Sequence, residues 1–419
     1  IYNITFHPLA KFPGPKLTAF TGWYETYHEL FGAPSKTFAY KIQQMHDDYG
    51  PIVRINPHEL HVSDHHFFDV LFAGGSARRD KYPPSASVQG APGGIFRTLN
   101  HDTHRMRRSA ICGFFSKQSV VVHEGLIHEK AEQLCEVFKN YAREGNPFNI
   151  RVPLLAYTTD FYCAHALGET GDMHLLKDQA KAQKWRESIT GLLHFTPIVR
   201  QFPWIQSFAF GLPMWLIRRV SSDLALVTQL LLGEKGFKRI SQEGFTVLTA
   251  SGDTIGRTLT TAVYHLLSNP NHLAKLKQEL RAAMPDSNMD VSLSKLESLP
   301  WTTLEYLIPR DGSSLTLFTP RARNASSLLG ADTAIALDSS ASIPHRNSEL
   351  KQASTNYQAP PSLAWAEMYV ALAKVLRRFD LQLYDVIRER DIDHYRDCFL
   401  GEPRDDTKGV RVKILRLLD

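Results

Sequence analysis

The sequence predicts a mainly α-helical fold with small β-sheets (class α+β), and two patterns support this prediction. Apolar residues recur at helical spacing over long stretches of the 419-residue chain, which is typical of amphipathic and buried helices. Short β-branched runs lie in pairs beside turn residues, which indicates small antiparallel sheets. Apolar residues make up 43% of the chain. That share is enough for a sizeable core, and length by itself would favour two or three domains.

Helical periodicity is clearest in the middle and near the end of the chain. Within residues 221–268, the stretch 245–267 is apolar or small on most faces, so we expect a buried helix there. The triplet Ser268-Asn269-Pro270 should end this helix, because proline cannot continue the hydrogen-bond ladder. Other helices are predicted at 23–49, 101–143, 154–168, 173–195, 272–284 and 363–376.

Extended structure is predicted near both ends of the chain. The β-branched runs 52–55 and 59–62 are separated by turn residues and predict a hairpin. Residues 379–384 alternate like a strand, and 409–415 are its expected partner. Residues 1–22 contain several prolines, which predicts a stiff, extended strap; a plain N-terminal loop is the alternative, and it is favoured if the segment is considered by itself.

Two segments show no clean period. Residues 197–217 are rich in Phe, Trp and Pro; short helices lining a pocket, contact with a membrane surface and plain core packing all fit this composition. Residues 311–355 carry nine serines and only scattered apolar runs. Because ordinary domains rarely contain so long a structureless stretch, we expect an irregular segment at about 302–361.

Charge and cysteine content exclude several classes of protein. The formal net charge is +5, and basic residues are dispersed rather than gathered on one stripe with stacking aromatics, so no nucleic-acid partner is expected. The sequence has no apolar run of 18 residues, so we expect no helix of it to span a bilayer. Cys112, Cys135, Cys163 and Cys398 lack the spacing of a zinc site or a redox dithiol, and so few cysteines favour a reducing compartment.

The first candidate site lies inside the predicted buried helix, at Ala250, Asp253 and Thr254. Asp and Thr lower helix propensity, and buried polar groups need partners. Spacings of three and four residues place the three side chains on one helix face, where small residues would admit a flat ligand. A mid-helix Thr can also bond to the carbonyl four residues earlier and bend the helix. A buried Thr beside a solvated Asp is the alternative interpretation.

The second candidate site is the pair His104 and Arg108, near the start of a predicted helix. Residues four apart are neighbours on one helix face, so these side chains can bind a carboxylate-bearing cofactor from one side. An exposed basic face fits the same residues, and that alternative is favoured if the pair is considered by itself.

Several blocks in order along the chain resemble the fungal membrane-bound members of the cytochrome P-450 family. These blocks are residues 6–15, 49–55, 101–116, 250–259 with 265–270, and 363–385. The resemblance covers about 1–301 and 362–419. It implies a single cytochrome P-450-like domain over residues 1–419, with an aberrant or disordered insert at 302–361.

This resemblance implies a haem-dependent monooxygenase that inserts one atom of dioxygen into an apolar small molecule in secondary metabolism. His104 and Arg108 match positions that contact the haem propionates, with His in place of an aromatic residue, and Ala250 belongs to the cofactor-binding face. Asp253 and Thr254 match an acid–alcohol pair that relays protons and hydrogen-bonds the iron-bound oxygen. The implied electron donor is an NADPH-dependent reductase. The implied location is the endoplasmic reticulum membrane, through an N-terminal anchor absent from this sequence.

The family pattern breaks within residues 302–361. A cysteine thiolate should ligate the iron just before the helix at 363, but residues 357–361 read YQAPP. A Glu-x-x-Arg helix and a Pro-Glu-Arg-Trp-like meander are also missing from the sequence. One event, either a wrong splice or a deletion, explains the three losses together. The axial thiolate is therefore not identifiable, and no metal ligand is assigned.

Two other hypotheses stay open. The chain could be a catalytically dead, haem-free remnant of the same fold, or an unrelated helical binding protein. Rescue by another cysteine is not expected. Cys112 lies one turn past Arg108, Cys163 lies in an apolar helix and Cys398 in the terminal segment, and free cysteine is commonly a small buried residue.

Overall fold

The computed structural model of the chain describes residues 1–64, 67, 78–86, 93–168, 173–220, 238–300 and 363–418. Helices dominate these ranges. They are α1 Tyr2–Thr5, α2 Lys16–Phe20, α3 Trp23–Thr26, α4 Phe38–Tyr49, α5 Pro83–Ala86, α6 His101–Cys112, α7 Lys117–Val122, α8 Glu124–Glu144, α9 Arg151–Leu167, α10 Gln179–Gln201, α11 Pro203–Gly211, α12 Met214–Val220, α13 Lys238–Ser268, α14 Pro270–Ala283, α15 Leu293–Glu297, α16 Leu363–Arg378 and α17 Arg388–Asp391.

The strands form small antiparallel sheets, which confirms the predicted fold class. They are β1 Ile52–Asn56, β2 Glu59–Val62, β3 Phe148–Asn149, β4 Phe379–Leu383, β5 Arg396–Cys398, β6 Leu400–Glu402 and β7 Arg411–Leu417. The sheets have the orders β1-β2, β3-β7-β4 and β5-β6. Both predicted pairings are confirmed, since Ile52 lies opposite Val62 and Leu383 lies opposite Val412.

The prediction of an extended strap over residues 1–22 is wrong at α1 and α2. The prolines lie outside both helices, and Pro15 directly precedes α2. Proline restricts the residue before it and is well tolerated at a helix start. The segment is bound to the hairpin: Arg54 N donates to Pro13 O over 2.8 Å, and Thr18 Oγ1 donates to Arg54 O over 2.8 Å.

Most predicted helices are confirmed, with shifted ends. The helix predicted at 23–49 is interrupted by a π-helical turn, Tyr27–Phe31, and a break before α4. In the segment 197–217, α10 continues through Pro197 to its end and is followed by α11 and α12. The predicted helical part 221–237 and the irregular segment 302–361 lie outside the described residues.

Helix α13 packs closely against α9 in the main core. A Cβ atom at Gly256 would lie 3.1 Å from Leu155 Cα, and one at Gly252 would lie 2.8 Å from Thr159 Oγ1. Thr158 Oγ1 donates to Gly252 O over 2.8 Å. Larger residues at these glycines would collide with a buried helix. One side of α13 is therefore closed by α9, and any ligand must approach from another side.

Candidate active site

The sides of α13 differ in exposure, and this difference defines the candidate site. Ala250, Thr254 and Thr258 are half-buried and recur every four residues; we call them the accessible stripe. Thr254 Oγ1 donates to Ala250 O over 2.6 Å, the back-bond that a mid-helix Thr can form. Asp253 is only 3% exposed, so the alternative of a solvated Asp is wrong. The structure separates Asp253 from the stripe that was expected to include it.

Asp253 lies between two arginines in a buried ion cluster. Its Oδ1 accepts from Arg151 Nη2 over 2.7 Å, and its Oδ2 accepts from Arg257 Nε over 2.6 Å. Arg257 also pairs with Glu402 and donates to Gly401 O over 3.0 Å. Burial opposes the ionisation of Asp253, but attraction to Arg151 and then to Arg257 outweighs burial and holds its pKa well below the usual range.

This cluster joins α9, α13 and β6. Burial opposes the charge of Glu402 as well, but Arg257 and Arg151 lower its pKa. Sequence reasoning missed both partners of Asp253, and it missed Glu402, which pairs with Arg257. The signal for Arg257 was its position four residues after Asp253, whereas Arg151 lies 102 residues from Asp253 and offered no local signal.

The pair His104 and Arg108 is half-buried on α6, where Arg105 is exposed. Gly93 connects α6 to the first half of α13. Its carbonyl accepts from Arg107 Nη1 over 3.2 Å, and its N–H donates to Gln242 Oε1 over 2.8 Å. The two predicted pairs therefore lie on helices that share this neighbour.

Two further segments flank the accessible stripe, and sequence reasoning named neither. Ile95 N donates to Glu243 Oε2 over 2.8 Å, and the next residue, Phe96, contacts Phe399 of the β5–β6 turn with ring centroids 6.3 Å apart. The β5–β6 hairpin is anchored to α13 at Arg257. At a rise of about 1.5 Å per residue, these two anchor points are about 20 Å apart along α13, and most of the stripe lies between them.

Two of the four cysteines are held as thiols by burial. Cys135, Cys163 and Cys398 are buried, and Cys112 is half-buried. Burial raises the pKa of Cys135 to about 11 and that of Cys398 to about 12, so both remain thiols at neutral pH, whereas the ligand must be a thiolate. Within the described ranges, no cluster of three or more His, Cys, Asp or Glu could hold a metal ion.

The resemblance implies a haem. The described residues fit it at α13 and at the propionates, but not at the thiolate ligand. The stripe presents small and hydroxylated side chains beside α13, and His104 with Arg108 suits the propionates. The thiolate side does not fit, because burial keeps Cys135 and Cys398 as thiols. Residues 357–361, where that ligand was sought, contain no cysteine and lie outside the described residues.

The sequence model of the cytochrome P-450 family matches residues 19–220 and 217–304 of the chain. The match ends where the composition of the chain changes. It includes both candidate sites and the whole of α13.

Full-length relatives come from fungi. A tryptophan 6-hydroxylase of Fusarium equiseti is 30% identical and aligns with 99% of this chain and 94% of its own length. A cytochrome P-450 monooxygenase of Ascocoryne sarcoides is 30% identical over 98% of this chain and 95% of its own. A conidiogenone synthase of Penicillium rubens is 27% identical over 100% and 96%.

The alignment with the first of these relatives is longer than this chain. It spans 484 positions, and 99% of the 419 residues of this chain, about 415, take part in it. About 69 aligned positions of the relative therefore have no counterpart in this chain. The family model and these relatives match the chain over ranges that include the blocks of the sequence analysis. The chain belongs to the cytochrome P-450 family.

Proposed function

We propose that the chain is a haem-dependent monooxygenase of fungal secondary metabolism, which inserts one atom of dioxygen into an apolar small molecule. The observation that carries this proposal is the accessible stripe of α13 with the hydroxyl of Thr254 on it. The segments attached to α13 carry Phe96 and the half-buried Phe399, whose rings contact each other and could contact an apolar substrate. Relatives that are themselves named as a hydroxylase, a synthase and monooxygenases support it.

Asp253 and Thr254 are the proposed catalytic residues. The Thr254 hydroxyl donates to Ala250 O, so its oxygen lone pairs can accept a hydrogen bond from a group on the open side. Both oxygens of Asp253 are bound by guanidinium groups. Taking up a proton therefore requires Asp253 to leave at least one of them, and a relay through Asp253 needs that movement.

A second candidate function is a haem-free remnant of the same fold. The absence of any cysteine between Cys163 and Cys398 favours it, as do the positions of the relative that have no counterpart here. A chain without a thiolate could still bind small molecules beside α13. This candidate shares the fold with the first and differs in the cofactor.

The carbon monoxide spectrum of the reduced protein separates the two candidates. The chain would be expressed with a haem precursor, and we expect a thiolate-type Soret band if the proposal is correct. In the double variant His104→Ala/Arg108→Ala, the haem content should fall several-fold because the propionates lose their partners. Arg105→Ala, an exposed neighbour on α6, should leave it unchanged. Haem absent, or bound without the thiolate band, would instead support the remnant.

The redox partner is proposed to be an NADPH-dependent reductase. Helix α6 carries three arginines, and Arg105 is exposed while Arg107 and Arg108 are half-buried. A basic patch would complement an acidic partner and would mainly raise the rate of association.

We further propose that the chain lies on the endoplasmic reticulum membrane through an aromatic surface, defined as Trp23, Trp204 and Phe208. These side chains are 61%, 65% and 63% exposed, so core packing does not explain them. Trp204 and Phe208 are four residues apart on α11, and Trp23 lies 6.3 Å from Phe202, just before α11, between ring centroids. Exposed Trp is typical of membrane–water interfaces. In the described part of the chain, every helix is too short or too polar to cross a bilayer.

Vesicle sedimentation tests this surface. The variant Trp23→Ser/Trp204→Ser/Phe208→Ser should bind phosphatidylcholine–phosphatidylserine vesicles at least about tenfold more weakly, because burying one large apolar side chain is worth about 1.5–3 kcal/mol. Val121→Ser/Val122→Ser is the control, since these residues are 60% and 72% exposed and lie on α7. Equal vesicle binding by the triple variant and the parent would overturn the proposal.

A further inference from the structure

Arg97 is a half-buried arginine whose only hydrogen-bond partner among the described residues is an amide. Its Nη1 donates to Gln206 Oε1 of α11 over 2.8 Å. Within the described ranges, no carboxylate pairs with it. Burial lowers the pKa of Arg97 from its usual range. A guanidinium removed from water is normally compensated by an anion.

Two other arginines that folding removes from water show such compensation. Arg200 binds Glu25 over 2.8 Å, and Arg378 binds Glu132 over 2.6 Å. In each of these pairs, the carboxylate offsets the loss of hydration of the guanidinium. At Arg97 the amide of Gln206 can orient the side chain but supplies no charge.

Arg97 lies at the candidate site rather than on a remote surface. It directly follows Phe96, whose ring is 3% exposed and contacts Phe399. The same turn is fixed to α13 through Ile95 and Glu243. The segment that carries Arg97 is therefore attached to α13 through Ile95 and to the β5–β6 turn through Phe96.

We propose that Arg97 binds the carboxylate of the substrate, so that the substrate is a small organic acid with an apolar body. The apolar part would lie against Phe96 and Phe399, and the carboxylate would accept hydrogen bonds from the guanidinium. This inference rests on the proposed function, because it identifies the substrate class of the same site. It changes the expected substrate from a neutral apolar molecule to an acid.

Isothermal titration calorimetry of the full chain tests the proposal. The probes are 4-phenylbutyrate, 2-naphthylacetate and indole-3-propionate, each compared with its own primary amide. At least one acid should bind about tenfold to a hundredfold more tightly than its amide, as expected for charge-assisted hydrogen bonds. Arg97→Gln should remove this preference, and Arg97→Lys should keep part of it because the charge remains.

The matched control is Arg143→Gln. Arg143 also donates to an amide, Asn140 Oδ1, over 3.0 Å, but it is exposed on α8, so the acid preference should persist. The proposal is overturned if no acid is preferred over its amide, or if the preference survives in Arg97→Gln. If Arg97→Gln does not fold, as judged by circular dichroism, an undiminished preference in Arg97→Lys also overturns it. Calorimetry needs neither haem nor oxygen, so a failed carbon monoxide test with an intact acid preference would reject only the proposed function.

Discussion

Replacing Asp253 with alanine is expected to lower the free energy of unfolding by about 3–5 kcal/mol, the usual cost of removing one partner from a buried ion pair. The carboxylate is 3% exposed and binds Arg151 and Arg257. Without it, Arg151 loses its carboxylate in a buried setting, and Arg257 retains only Glu402 and Gly401 O. The midpoint of urea unfolding would measure the loss.

Asp406→Ala is the control for Asp253→Ala. Asp406 pairs with Arg404 at the surface, where the two side chains are 60% and 51% exposed, and such pairs contribute little to stability. The control should therefore unfold like the parent. If Asp253→Ala were no less stable than Asp406→Ala, Asp253 would not hold α9, α13 and β6 together. The turnover of Asp253→Ala and Asp406→Ala would also be compared. If Asp253 relays protons, turnover in Asp253→Ala should fall by more than the loss of folded protein explains.

Replacing Glu367 with glutamine is expected to stabilise the protein by about 1–3 kcal/mol at pH 8, because folding of the parent must protonate or desolvate a carboxylate that is ionised in the unfolded chain. Glu367 is 2% exposed on α16, and among the described residues its Oε2 is buried without a hydrogen-bond partner. Burial raises the pKa of Glu367 well above its usual range. Glutamine keeps the shape of the protonated acid and removes the ionisation.

The pH dependence gives this prediction its sign. The folded protein retains a proton on Glu367 that the unfolded chain releases above its ordinary pKa of about 4.3. Stability of the parent should therefore fall as the pH rises above that value, by at most about 1.4 kcal/mol per pH unit from this group. Below pH 4.3 the variant should gain nothing, because Glu367 is protonated in both states. Stability curves would be measured by denaturant unfolding between pH 4 and pH 8.

Glu129→Gln provides the comparison for Glu367→Gln. Glu129 is exposed on α8 and accepts from Gln133 Nε2 over 3.1 Å, so the curve of this variant should parallel that of the parent. If Glu367→Gln also gave a parallel curve, Glu367 would ionise in the folded protein as readily as in the unfolded chain. That outcome would reject the buried, protonated carboxyl group.

The sequence predicted the elements that depend on local pattern. The helical period located α14 and α16, and turn residues between β-branched runs located the β1–β2 hairpin. Pairing of β4 with β7 was also predicted, from the alternation of residues 379–384 and the expected partner at 409–415. These features succeed because side-chain period and turn chemistry act within a few residues. The extended strap failed because the prolines restrict their own neighbours and leave α1 and α2 free to form.

The candidate site was only partly accessible to such reasoning. The position of Asp253 and Thr254 inside a buried helix followed from composition, and so did the pairing of His104 with Arg108 on one face. The roles of these residues remain predictions. The structure added Arg97, which has an amide but no carboxylate as a partner among the described residues, and an absent partner leaves no trace in sequence spacing.

The sequence by itself determined which segments are helices or strands, and the order of blocks that indicates the cytochrome P-450 family. The tertiary structure decided that Asp253 is an ion-pair anchor beside Arg151, and that Phe399 meets Phe96. The physical reason is the sequence distance over which each property is set. Periodicity is a property of neighbouring residues, whereas the charge state and exposure of a side chain depend on groups that folding brings from more than 100 residues away.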